Sequence, residues 1–156
     1  MSTLSMTAPF AHYGVPNGQH APADPYAFAT QSADVLRLGA EFRRNRLDAA
    51  DMVTIDDAAA LAGVSRFTIN TWIKSRRCIG VANLRLELKL PNWQFEPNLW
   101  PLLQLLAAAL GAADGWQVLT FLETPAPALE GRTPRAALEQ GVPARRILSL
   151  ATADAY

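Results

Sequence analysis

Three residues at fixed separations restrict what residues 55–74, IDDAAALAGVSRFTINTWIK, can become. Counting Ile55 as the first position, Ala59 is the fifth, Gly63 the ninth and Ile69 the fifteenth. A small fifth residue lets a second helix cross close above the first. A glycine at the ninth enters the left-handed conformation without steric cost and ends the first helix in a tight corner. An apolar fifteenth residue fills the angle between the helices. Ala58, Ala62, Val64 and Trp72 supply the other inward positions. Thr54 is placed to cap the first helix, with Asp56 and Asp57 in its first turn, and Ser65 to cap the second.

This is the pattern of a DNA-binding helix-turn-helix. The outward positions of its second helix are Ser65, Arg66, Phe67, Asn70, Thr71 and Lys74. Five of these six can donate a hydrogen bond to a base edge or a phosphate. Arg76 and Arg77 come directly after and complete the candidate DNA-binding set. An ordinary helical hairpin packed in a core is the bland alternative.

A formal net charge of zero argues at first against a polyanionic partner, but the charge is unevenly spread. Residues 1–64 carry −3, residues 65–89 carry +5 and residues 90–156 carry −2. The positive segment spans the second motif helix and the hairpin region after it. Phosphate contacts need such a local basic face, and total charge is a poor guide to it.

Around the motif, residues 1–30 are rich in Pro, Ala, Ser, Thr and Gly and read as a disordered or extended tail. Val35, Leu36, Leu38 and Phe42 give a near-helical apolar spacing over residues 32–47, with Arg43, Arg44 and Arg46 in the last turn. Residues 48–54 read as a connector. In LRLELKL, residues 84–90, leucines alternate strictly with charged residues, which predicts a half-buried strand. Residues 79–81 are its candidate antiparallel mate, and such a hairpin after a recognition helix resembles a wing. The loop PNWQFEP, residues 91–97, carries Trp93 and Phe95, expected to tuck into a core. A leucine-rich helix closed by Gly111 comes next, then a short helix ended at Thr124-Pro125. Thr133-Pro134 and Pro143 each open a further helix, and Gly141 separates the two.

The expected architecture is mainly α. A helix-turn-helix with a small β-hairpin occupies residues 31–98, and a small helical domain occupies residues 99–156.

The C-terminal run GWQVLTFLETPAPALEGRTPRAALEQGVPARRILSLA resembles the toxin-binding domain of antitoxins of the Xre/MbcA/ParS type. The shared pattern is a tryptophan helix, an aromatic or leucine near a proline, Leu-x-Gly-x-Ser/Thr-Pro, a short helix ending at glycine, and a closing helix. Trp116, Phe121, Leu122, Pro125, Leu129, Gly131, Thr133, Pro134, Leu138 and Gly141 occupy those places. The resemblance implies a type II antitoxin that represses its own operon through the helix-turn-helix. Its C-terminal domain would clasp a partner toxin, often a RES-type enzyme. Arg135, Arg145, Arg146 and Tyr156 are the candidate partner contacts, because Arg and Tyr are over-represented at binding hot spots. Removing everything after Gly115 is expected to abolish partner binding and leave weakened DNA binding.

Catalysis has little support. The two histidines, His12 and His20, lie in the tail, and no phosphate-cradling glycine loop or nucleophile-base pair is visible. No cofactor, metal or catalytic residue is expected. Cys78 is the one cysteine, so no internal disulfide can form. The N-terminus lacks a basic region followed by an apolar block, and no stretch has the apolar length of a membrane span. A cytoplasmic homodimer on double-stranded operator DNA is the leading expectation. A protein-interaction module without DNA binding, or an architectural or recombination-accessory DNA binder, are the alternatives.

Overall fold

The computed structural model describes residues 25–156, Leu84 apart. The expected tail, with His12 and His20, lies outside the described residues as far as residue 24. Its last residues do not extend the tail: α1 runs Pro25–Leu47. Proline suits the first helical turn, where its missing N–H is not needed, so the helix starts earlier than the apolar spacing indicates.

The chain divides inside α1, after Ala40, and Glu41–Tyr156 form a compact unit of their own. In the first unit Val35, Leu36 and Leu38 face solvent, and Asp34 pairs with Arg37 one turn on at 3.4 Å.

The second unit is mainly helical around a small antiparallel sheet. After the end of α1 come β1 (Met52–Val53), α2 (Ile55–Ala62), α3 (Arg66–Lys74), β2 (Val81–Ala82) and β3 (Leu88–Pro91). Then come α4 (Leu103–Leu110), α5 (Gly115–Glu123), α6 (Pro134–Glu139) and α7 (Ala144–Asp154). Single 3-10 turns stand at Asn92–Phe95, Trp100–Leu102 and Pro127–Leu129.

The sheet order is β1-β3-β2, with Met52 opposite Pro91, Val53 opposite Leu90, Val81 opposite Lys89 and Ala82 opposite Leu88. Two expectations change here. Residues 48–54 hold a strand as well as a connector. Within the alternating segment the strand begins at Leu88 and residues 85–87 stand outside it, because the Asn83 side chain captures the backbone N–H groups of Arg85 and Glu87 at 2.8 and 3.1 Å. An asparagine carbonyl that binds the backbone two residues ahead builds a turn and competes with ladder pairing.

Two apolar clusters fill the unit. One is small: Ile55, Ala58, Ala59, Ile69, Cys78 and Leu90, with Val64, Trp72 and Leu88 against it. The other is larger and draws on residues from both sides of position 98. Leu47, Met52, Val81 and Trp93 join Leu103, Leu106, Leu119, Leu122, Leu129, Leu138 and Ile147. The boundary expected after residue 98 is therefore not a break in packing. Among the described residues no single helix is long and apolar enough to cross a membrane.

Polar groups inside this core are paired. Arg46 sits with a mostly buried side chain between two carboxylates. It donates to both oxygens of Asp51 at 2.8 and 2.7 Å and to Glu123 at 2.6–3.0 Å. Burial alone would lower its pKa, but the two acids raise it above the ordinary arginine value. Asp51 also accepts the Trp93 indole N–H at 2.9 Å, and these donors, Arg46 first, hold its carboxyl below the ordinary value of 3.8. Arg46, in the last turn of α1 as its position indicates, is taken up by this internal clasp.

Gln94 is fully buried. Its amide accepts from Ile79 N at 2.6 Å and donates to Ile79 O at 2.9 Å, replacing a strand neighbour for that residue.

Candidate nucleic-acid interface

The corner between α2 and α3 is fixed by local chemistry. Thr54 Oγ1 accepts the N–H of Asp57 at 3.2 Å, and Asp56 and Asp57 complement the positive helix start. Gly63 adopts φ +67, and its N–H and that of Val64 close the end of α2 on Ala60 and Ala59. Ser65 Oγ accepts the N–H of Thr68 at 3.2 Å and starts α3. Ile69 is fully buried behind Ala58 and Ala59, so the opposite side of α3 faces outward.

On that side Ser65, Arg66, Phe67, Thr71 and Lys74 are exposed, and Asn70 is half-buried. Phe67 is 80% exposed, unusual for a phenylalanine with a core within reach. Arg66 Nη1 lies 3.2 and 3.3 Å from the two oxygens of Asp56, whose own side chain is exposed. Thr71 Oγ1 donates to Phe67 O at 3.0 Å. The Ser65 hydroxyl serves its own cap and lies 3.0 Å from Thr68 Oγ1.

The two arginines after α3 part company. Arg77 is exposed and its guanidinium lies over the Trp72 and Trp100 rings, at 5.4 and 5.6 Å. Those rings are tilted against each other at 5.0 Å, and Phe95 meets Trp100 at 5.3 Å. This shelf holds the charge at the surface while its stem covers apolar area. Arg76 has φ +66, and its Nη2 donates to Ala113 O between α4 and α5. That contact ties Arg76, half-buried, to the segment between α4 and α5. That pairing is non-local, and the run Lys74 to Arg77 carries no sign of it.

Cys78, just beyond, is buried, and burial pushes its thiol up to about 12. It is held as the neutral thiol, a small apolar filler.

The candidate partner residues lie on α6, on α7 and beyond the end of α7. Arg145 and Arg146 start α7, and Tyr156 lies beyond its far end, about 16 Å along at 1.5 Å per residue. Arg145, Arg146 and Tyr156 are all exposed, and Arg146 Nη2 also donates to Ala128 O. Arg135 stacks over the Trp93 ring at 4.2 Å and donates to Glu139 at 3.1 Å. The turn before α6 is built as its residues indicate: Gly131 has φ +81, and Thr133 Oγ1 accepts the N–H of Ala136 at 3.1 Å.

Sequence inspection missed Asp56 as the neighbour of Arg66 and the aromatic shelf under Arg77. The first could have been found from the corner geometry, which folds the start of α2 toward the start of α3. Against protein-family models, curated proteins and solved structures, the chain shows no match.

Proposed function

We propose that this chain is a sequence-specific DNA-binding transcriptional regulator of the antitoxin kind, a binding protein and not an enzyme. The α2–α3 pair acts as a helix-turn-helix, and α3 enters the major groove. Arg66, Phe67, Asn70, Thr71 and Lys74 face base edges and phosphates, with Ser65 at the helix start and Arg77 beside it. The observation that carries this reading is the solvent side of α3, where exposed donors surround an exposed Phe67 while Ile69 anchors the helix beneath. Phenylalanine in that position suits the thymine methyl, and arginine suits guanine.

The C-terminal helices bind a partner toxin through exposed residues such as Arg145 and Tyr156. The functional species is a homodimer, because paired recognition helices read half-sites about 34 Å apart.

A gel shift against the DNA upstream of the chain's own gene tests the reading. Binding falls steeply with salt, each neutralised phosphate adding about −0.9 to the log–log slope. Salt-insensitive or absent binding rejects it. A second reading, an interaction module without DNA binding, draws on the solvent-facing Val35, Leu36 and Leu38 of α1. It predicts self-association with no duplex affinity.

A further inference from the structure

Arg77, three residues past the end of α3, is carried on tryptophan and not on an acid. Its guanidinium lies 5.4 Å from the Trp72 ring centre and 5.6 Å from that of Trp100. The two rings meet at 58° and form a notch, with Phe95 against Trp100 at 5.3 Å. The backbone is held as well. Arg77 N donates to Trp72 O at 2.9 Å, so one residue of α3 holds the arginine at both ends. Trp100 is fixed in turn by its own N–H on Glu96 O at 2.9 Å.

Ring faces attract a cation but accept no ordinary hydrogen bond, so the N–H fork of the arginine stays available. Nearby arginines differ. Arg66 pairs with Asp56, and Arg76 donates to Ala113 O. Among the described residues Arg77 forms no ion pair, and neither does Glu96, the acid next to Phe95. A free arginine must be ordered when it meets a ligand, which costs side-chain entropy. Arg77 is ordered beforehand, exposed and not neutralised, the state of an anion receptor.

A lone carboxylate or a free phosphate ion needs one arginine and no more. Here the exposed Thr71 and Lys74 stand on the last turn of the same helix, and residues 65–89 carry +5. Donors and cations repeated along α3 and past its end match anionic charges repeated along a line, which favours a chain of phosphates.

We propose that the Trp72–Trp100 notch presets Arg77 for a backbone phosphate of the duplex. Trp100, from the turn before α4, is a positioning residue that acts through Arg77 and touches no DNA. The assignment rests on the DNA-binding reading of α3.

The test uses the full chain and a short duplex enriched from a random pool by the wild-type protein. Arg77→Ala binds roughly tenfold more weakly, and its log–log salt slope is shallower by about 0.9. Trp100→Phe keeps an aromatic ring against Phe95 but narrows the notch. It binds about threefold more weakly with the salt slope unchanged, because the charge is still present. In the Arg77→Ala background Trp100→Phe has no further effect on affinity. An equal loss in both backgrounds, or no loss in either, removes Trp100 as a positioning residue and overturns the proposal. Inorganic phosphate at constant ionic strength leaves wild-type affinity unchanged; competition that disappears in Arg77→Ala would assign the site to free phosphate instead. If Arg77→Ala binds as the wild type does while Arg66→Ala is weakened, the notch proposal falls and the α3 reading survives. If the wild type enriches no duplex, both fall.

Discussion

Arg66 at the start of α3 leans on Asp56 in the first turn of α2, 3.2 Å away, with 62% of one side chain and 71% of the other exposed. So open a pair contributes little to stability, about 0–1 kcal/mol. It does orient the guanidinium along the rim of the corner. An arriving phosphate or guanine edge has only a solvated carboxylate to displace.

Arg66→Ala therefore lowers duplex affinity by about 1–3 kcal/mol and leaves the melting temperature nearly unchanged. Fluorescence anisotropy titrations beside thermal melts check both halves. Unaltered affinity removes Arg66 from the interface. Asp56→Asn removes a like charge from the phosphate path and should tighten binding.

Gly63→Ala isolates the cost of the turn itself. A Cβ there meets nothing within 4 Å, so only the left-handed backbone opposes it. The loss is about 1–2 kcal/mol, and it is larger for Gly63→Val, whose branched side chain tolerates positive φ poorly. Urea unfolding measures it. A valine variant of full stability contradicts the corner.

Gly115→Ala fails for the opposite reason. Its added Cβ would lie 2.3 Å from Gly80 O, a backbone atom that cannot step aside alone. Overpacking of this kind costs about 1–3 kcal/mol or more. Calorimetry should show the loss, and a neutral substitution would mean that the start of α5 does not press on Gly80.

Asp51 gives the fold an acid-sensitive clasp. Its carboxyl is held below the ordinary value by Arg46, so its contribution is present above the ordinary range and disappears as pH falls through the lowered value. Asp51→Asn costs about 1.5–3 kcal/mol at neutral pH, the range for hydrogen bonds to charged groups. It also flattens the fall in stability as pH drops below the ordinary carboxylate value. Parallel urea melts of the two proteins test this; equal slopes would discount the clasp.

Truncation after Gly115 does more than remove a partner surface. It strips Leu119, Leu122, Leu129, Leu138 and Ile147 from the cluster that also holds Leu47, Met52, Val81 and Trp93. Such a chain should not fold, so the weakened DNA binding expected from sequence is replaced by loss of the native state, visible by circular dichroism. Arg145→Glu, on an exposed first turn, is the cleaner probe: the fold stays and toxin capture drops.

Much of the fold was legible where short-range chemistry decides it. Thr54, Ser65 and Thr133 cap the helices their positions announce, and Gly63 and Gly111 end helices in left-handed turns. Ile69 is buried as its spacing requires. The misses are long-range. β1 has two residues, too few to show a period, and exists only because β3 lies beside it. The leucine alternation lost residues 85–87 to one asparagine side chain. Arg76 looked like its basic neighbours until Ala113, far along the chain, took its guanidinium. For the candidate interface, periodicity identified the exposed set on α3 but not which cations stay available.

Cys78, walled in by Ile69 and Leu90, makes the molecule its own unfolding meter. It is the chain's one thiol, so an alkylating reagent has a single point of attack, reached only when the cluster under α3 comes apart. Modification rates would then report the opening free energy of that corner without an introduced label, and a bound operator would slow the reaction in proportion to its occupancy.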